Sequence, residues 1–245
     1  MRILYIGFSG GGKRGYHASP AALLQRIPLR RAGIKEQALI CPGGMERGMG
    51  KKVIGLLGSP LPEGNTAALL DRALRGAEDA GCTVEKIVVP FLDFEPCMEI
   101  LFCREHETCQ MEDDLTPLYR KFRELDGLII ATPVMTMGIP GKLKSLMDRF
   151  QVFFMAKYVR KQPLVPKEKR GSRLCLLIAI SGMKVPGVFD GAKATVAAFC
   201  DIIDCRLFSE ILVPDMDTIR DIHTRPEILD LAYRKGLELG TALPG

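Results

Sequence analysis

From residue 53 onward, apolar positions follow two alternating rhythms. Short continuous apolar runs at 53–57, 84–89, 127–131, 174–180 and 206–213 predict strands. Between them the spacing changes to three and four residues. Leu69, Leu70, Ala73, Leu74 and Ala77 predict one helix, Leu115, Leu118, Tyr119 and Phe122 a second, and Leu143, Leu146, Met147 and Phe150 a third. A fourth is expected over 192–203, and a fifth over 226–239 from Ile228, Leu229, Leu231, Ala232 and Leu237. Gly81 should end the first helix, and Asp113 or Asp114 should cap the second. Five strands alternating with five helices predict an α/β fold with a parallel sheet and helices on both faces. In such sheets ligands bind outside the carboxyl ends of the strands.

Polar, glycine-bearing loops follow three of these strands. The first, 58–65, runs straight into a helix, so backbone N–H groups and the positive end of the helix dipole converge there, which suits a phosphate. Ser59, Asn65 and Thr66 add side-chain donors, and Gly58 and Gly64 allow close approach of the backbone. An ordinary helix N-cap would use the same residue types, so both readings stand. Neither a Walker lysine nor G-x-G-x-x-G spacing is present, which turns the reading away from nucleoside triphosphates and dinucleotides. The other two loops are 132–141, Thr-Pro-Val-Met-Thr-Met-Gly-Ile-Pro-Gly, and 181–187, Ser-Gly-Met-Lys-Val-Pro-Gly.

Charge refines the picture. The chain of 245 residues carries +5, yet residues 1–50 hold eight Lys and Arg against two Asp and Glu, so the remainder is nearly neutral. It has no general nucleic-acid signature. We expect residues 1–50 to be a basic leader, either a disordered arm or upstream sequence preceding a natural start at Met45 or Met49, and residues 51–245 to form the domain. No apolar run approaches the roughly 18 residues that span a bilayer, and the run at 3–8 is too short for a signal peptide. We therefore expect a cytoplasmic protein without membrane partners. Its eight cysteines are then candidates for metal or redox work, or small buried residues, before disulfides. Cys82, Cys175, Cys200 and Cys205 lie in or beside apolar elements and are expected in the core.

Four ordered motifs carry a resemblance. Gly58-Ser-Pro-x-x-x-Gly-Asn-Thr, the Pro96-Cys97 loop leading to Asp113-Asp114, Thr132-Pro-Val with Gly138-x-Pro-Gly-x-x-Lys144, and Asp148-Arg149-Phe150 resemble the NADPH-dependent FMN reductase family, and within it the iron–sulfur flavoprotein branch. The resemblance covers about 52–240. It implies a flavodoxin-like, doubly wound five-stranded parallel sheet. It further implies that Ser59, Gly64, Asn65 and Thr66 hold the FMN phosphate. Pro133, Val134, Met135, Thr136, Met137 and Gly138 would lie along the isoalloxazine, and Ser181 and Gly182 would close its other side. The flavin would carry the chemistry, so no protein acid or base is assigned. In two places the chain departs from the family: Met135 replaces an aromatic residue, and Leu61 stands where many relatives have an arginine.

The iron–sulfur branch uses C-x2-C-x2-C-x5-C, and here the frame reads Cys97, Ile100, Cys103, Cys109. Three readings remain: a cluster on three cysteines; a zinc site from Cys97, Cys103, His106 and Cys109; or a metal-free loop of inherited shape, which the missing ligand favours. The expected function is FMN-dependent NAD(P)H oxidoreduction of a quinone, flavin or similar small acceptor. The alternative is an iron–sulfur flavoprotein that carries electrons from a ferredoxin-like partner. The basic stretch 157–173, with seven Lys and Arg, is either a solvated surface or a seat for the 2′-phosphate of NADPH. The resemblance also implies a homo-oligomer.

Overall fold

A computed structural model describes residues 50–244; the expectations for residues 1–49 lie outside the described residues. The elements in chain order are β1 (Lys52–Leu57), α1 (Asn65–Asp79), β2 (Thr83–Val88), α2 (Thr116–Glu124), β3 (Gly127–Pro133), α3 (Gly141–Arg149) and α4 (Gln151–Phe154). They continue with β4 (Arg173–Ile180), α5 (Asp190–Ile202), β5 (Cys205–Val213), α6 (Met216–Ile219) and α7 (Pro226–Ala242). All strand pairs are parallel, in the order β2-β1-β3-β4-β5. That is the flavodoxin-like order, with its switch point between β1 and β3. Among the described residues no helix is long and apolar enough to cross a membrane.

The continuous apolar runs have a simple cause. β1, β3 and β4 are covered on both faces, so every second residue enters one of two cores. Ile54, Leu56, Leu128, Ile130, Cys175 and Leu177 pack toward α2, α3 and α5, while Val53, Leu57, Ile129, Ala131, Leu176 and Ile178 pack toward α1 and α7. Helices α1 and α7 cross at very close range. A Cβ on Gly236 would stand 1.8 Å from the carbonyl oxygen of Ala73, and one on Gly76 would stand 2.1 Å from that of Tyr233. Glycine in these helix interiors is therefore a packing requirement, which outweighs its low helix propensity.

Two boundaries differ from the sequence expectation. Gly64, not Asn65 or Thr66, occupies the N-cap of α1, and no side chain caps it. Likewise neither Asp113 nor Asp114 caps α2, whose N-cap is Leu115. Asp113 is held by Arg149 instead, and Asp114 accepts the amide of Asp93 at 2.6 Å. Gly81 ends α1 as expected, at φ 85°.

Candidate functional site

Three loops leave the carboxyl edge of the sheet, and each is tied to the next strand over. The amide of Gly58 donates to the Ala131 carbonyl at 2.8 Å, that of Val134 to Ile180 at 2.7 Å, and that of Ser181 to Val213 at 2.9 Å. A row of hydrogen bonds thus fixes the rim from β1 to β5. At the β1/β3 switch point the chain departs in opposite directions and leaves a crevice.

The first loop keeps its donors open. Asn65, Thr66 and Ala67 open α1, where amides lack intrahelical partners, and its first turn contains no acidic residue. Ser59 and Thr66 are buried, and Ser59 Oγ accepts the amide of Leu61 at 3.2 Å. Asn65 has a different task from the one its residue type suggests. Its Nδ2 donates to the Arg220 carbonyl at 2.7 Å, and its Oδ1 accepts the amide of Ile222 at 3.0 Å. The side chain therefore braces the start of α1 against the segment after β5, leaving its backbone amide for a ligand.

The second loop is a two-residue turn. Met135 and Gly138 exchange backbone hydrogen bonds at 2.9 and 3.0 Å, with Thr136 at φ 50° and Met137 at φ 61° between them. Both φ values are positive, as hairpin turns of this length demand, yet neither residue is the Asn or Gly usual there. For the β-branched Thr136 the conformation is strained. Helix α5 presses against this turn: a Cβ on Gly191 would lie 2.3 Å from the Met137 carbonyl. In the third loop the Asp217 carboxylate sits against Gly182, whose added Cβ would lie 2.5 Å from Oδ1. The amides of Met216 and Asp217 donate to the carbonyls of Ser181 and Gly182 at 2.9 and 3.2 Å.

Sequence reasoning missed this segment, 214–222, as a fourth wall. The signal was present, since it follows β5 at the same carboxyl edge, but it lacks the glycines that marked the other loops. Leu61, Met135, Met137, Met183 and Val185 are exposed around the crevice.

The cysteine loop lies on the α2/α3 side and is held through its backbone. Arg149 is fully buried. Its Nη1 donates to the Glu95 carbonyl at 2.7 Å and to Asp113 at 2.6 Å, and its Nη2 to the Met111 carbonyl at 3.3 Å. Arg160 donates to the carbonyls of Cys103 and His106. The His106 ring stacks on Phe102 at 3.7 Å with Nδ1 against its own turn's carbonyl. Among the described residues no three His, Cys, Asp or Glu side chains are arranged to hold a metal ion, so neither the zinc set nor the three-cysteine set is assembled. A cleft of about 390 Å³ opens beside Cys97 and Cys103, with Glu99 and Asp148 in its lining. Burial, followed by the neighbouring Cys109, pushes the Cys103 thiol up. Cys82, Cys175, Cys200 and Cys205 are buried.

Within the basic stretch, residues 167–170 lie away from the crevice. Lys169 Nζ pairs with Asp126 at 2.7 Å, and Arg170 donates to the carbonyls of Val165 and Pro163. Both precede β4, and are separated from the crevice by its eight residues, a rise of about 26 Å. Residues 167–170 thus support the amino edge of the sheet.

Comparison with known proteins follows the same lines. Residues 51–184 match the family described as NADPH-dependent FMN reductase. An iron–sulfur flavoprotein of Methanocaldococcus jannaschii is 40% identical over 98 residues, covering 40% of this chain and 51% of that protein. One of Methanosarcina thermophila is 30% identical over 123 residues, covering 50% and 61%. The chain thus spans about half the length of the curated relatives it matches. Among solved structures, an NAD(P)H:quinone oxidoreductase from Methanothermobacter marburgensis superposes with a TM-score of 0.61 at 17% identity, covering 78% of this chain and 96% of that one. A flavone reductase gives 0.58 at 18%, covering 78% and 62%. At such identities the likeness is one of fold.

Proposed function

The chain belongs to the NADPH-dependent FMN reductase family, and from that premise we propose that residues 51–245 form an FMN-binding domain of an NAD(P)H-dependent oxidoreductase. The observation that carries this reading is the set of first-turn amides of α1 left without intrahelical partners at the switch point, flanked by the buried hydroxyls of Ser59 and Thr66, with no acidic residue in that turn. These groups fit a phosphate. Gly64 ends the loop, and Asn65 keeps the helix start in place through its brace to residues 220–222.

The residues of the second and third loops fit the ring. The turn formed by Met135, Thr136, Met137 and Gly138, entered through Pro133 and Val134, offers a rigid edge, and Ser181 and Gly182 close the other side. Met135 offers a polarisable thioether where relatives carry an aromatic ring. Bound FMN supplies hydride acceptance and donation. The protein's part is to orient the ring, exclude water with the exposed Met135, Met137 and Met183, and receive donor and acceptor in turn at one crevice. The acceptor is a small molecule such as a quinone or free flavin. The apolar rim also favours a homo-oligomer in which a second copy covers the crevice.

A second reading, an electron carrier with an iron–sulfur cluster served by a ferredoxin-like partner, draws support from the names of the curated relatives. The loop does not fit a four-thiolate cluster. Ile100 stands at the second ligand position, and Glu99 brings negative charge to the thiol cleft, whose other carboxylate, Asp148, is paired with Lys144 at 2.6 Å. Titration with FMN and riboflavin tests the first reading: tighter FMN binding supports it, and equal affinity removes the phosphate assignment. Iron analysis of anaerobically purified protein tests the second.

A further inference from the structure

The first loop brings no cation to an anionic phosphate, since Leu61 stands on it where a cation would serve and its one charged residue is the exposed Glu63. A cation arrives from elsewhere in the chain. The Asn65 brace fixes residue 220 one hydrogen bond, 2.7 Å, from the first residue of α1. The backbone of Arg220 is held at φ 60° and ψ −50°, and the amide of Asp221 donates to the Ile219 carbonyl at 2.7 Å. This is a γ-turn with positive φ at its centre, a rare and strained geometry that glycine tolerates far better than arginine.

The Arg220 side chain is exposed. Among the described residues it joins no ion pair; of the carboxylates on its segment, Asp221 is engaged by His223 at 2.8 Å, Asp215 accepts from Thr218 at 2.7 Å, and Asp217 lies against Gly182. An arginine at a backbone position that suits glycine, with no internal partner for its guanidinium, stands beside an anion-binding helix start. Strain of this kind is maintained where it serves a site.

We propose that Arg220 is the cationic partner of the FMN phosphate, supplied by the segment after β5 in place of an arginine on the first loop. The proposal rests on the reading of that loop as the FMN phosphate site. The planar guanidinium can donate two parallel hydrogen bonds to phosphate oxygens, which gives orientation as well as attraction.

The test is a titration of the full chain, stripped of bound flavin, with FMN and with riboflavin at low and raised ionic strength. Wild type should prefer FMN, and salt should reduce that preference. Arg220→Gln should weaken FMN about tenfold or more while leaving riboflavin unchanged, and Arg220→Lys should keep part of the preference. Arg220→Gly removes the cation and relieves the positive φ. It should melt at or above the wild-type temperature yet lose FMN preference, a pairing that a merely structural arginine would not produce. Full wild-type FMN preference in Arg220→Gln and Arg220→Gly would overturn the proposal. Equal binding of the two flavins by wild type would instead overturn the phosphate-site reading, and the proposal with it.

Discussion

The first loop and the cysteine loop are both polar segments beyond a strand, and they are held in place by different means. In the first, the amides at the start of α1 have no intrahelical partner, and the Asn65 side chain, which both donates and accepts, serves as a brace to residues 220–222. In the second, carbonyls of Glu95, Cys103, His106 and Met111 are already claimed by Arg149 and Arg160. The first loop offers helix-start amides to a ligand, whereas arginine side chains hold the cysteine loop by its carbonyls. The difference lies in the fold, since both stretches look equally functional as sequence.

The largest expected effect breaks the scaffold. Arg149→Leu leaves Asp113 and two carbonyls without their donor, and should destabilise the fold by about 3–5 kcal/mol. Urea unfolding measures this, and alkylation with mass analysis should show the buried Cys103 newly reactive. Ordinary stability in this variant would mean that the loop does not depend on Arg149. On the binding side, Asn65→Ala removes two hydrogen bonds and should cost about 1–3 kcal/mol. It should also weaken FMN, because the helix start and residues 220–222 lose their tie. Loss of stability with FMN affinity intact would show the brace to be irrelevant to the site.

Two smaller effects sharpen the contrast. The folded chain holds the Cys103 proton more tightly than the unfolded chain, chiefly through burial. Its alkylation should be slow at about pH 8 and accelerate only above the ordinary thiol range. By the same linkage, its contribution to stability is retained below that range and falls as pH rises through it. Fast alkylation of Cys103 at neutral pH would contradict a closed loop. Finally, replacing Lys167, Lys169 and Arg170 with Gln should cost about 1 kcal/mol through the Lys169–Asp126 pair. The preference for NADPH over NADH should not move; a shift would return the donor phosphate to that stretch.

Much of this was legible in the chain. Runs such as 127–131 and 174–180 could be read because strands covered on both faces leave no polar positions to confuse the pattern. The loops at 58–65, 132–141 and 181–187 stood out through glycine and proline. What escaped depends on contacts between distant residues. Asp113 looked like a helix cap, yet a buried arginine 36 residues away claims it. Asn65 looked like a phosphate ligand, yet its side chain reaches a segment 155 residues on. Arg220 carries no local motif, and only the fold brings it to α1. The basic stretch was read two ways, as solvated surface or as a phosphate seat, since composition does not say which edge of the sheet a connection serves.

The central claim is that the carboxyl edge of the sheet holds flavin while the cysteine loop stands without a cluster. The most direct measurement is the visible absorption spectrum of anaerobically purified protein, with flavin and iron quantified on the same sample. Flavin bands at stoichiometric flavin with negligible iron are the predicted result. Protein without flavin, or flavin accompanied by several irons per chain and broad absorption beyond the flavin bands, would contradict it.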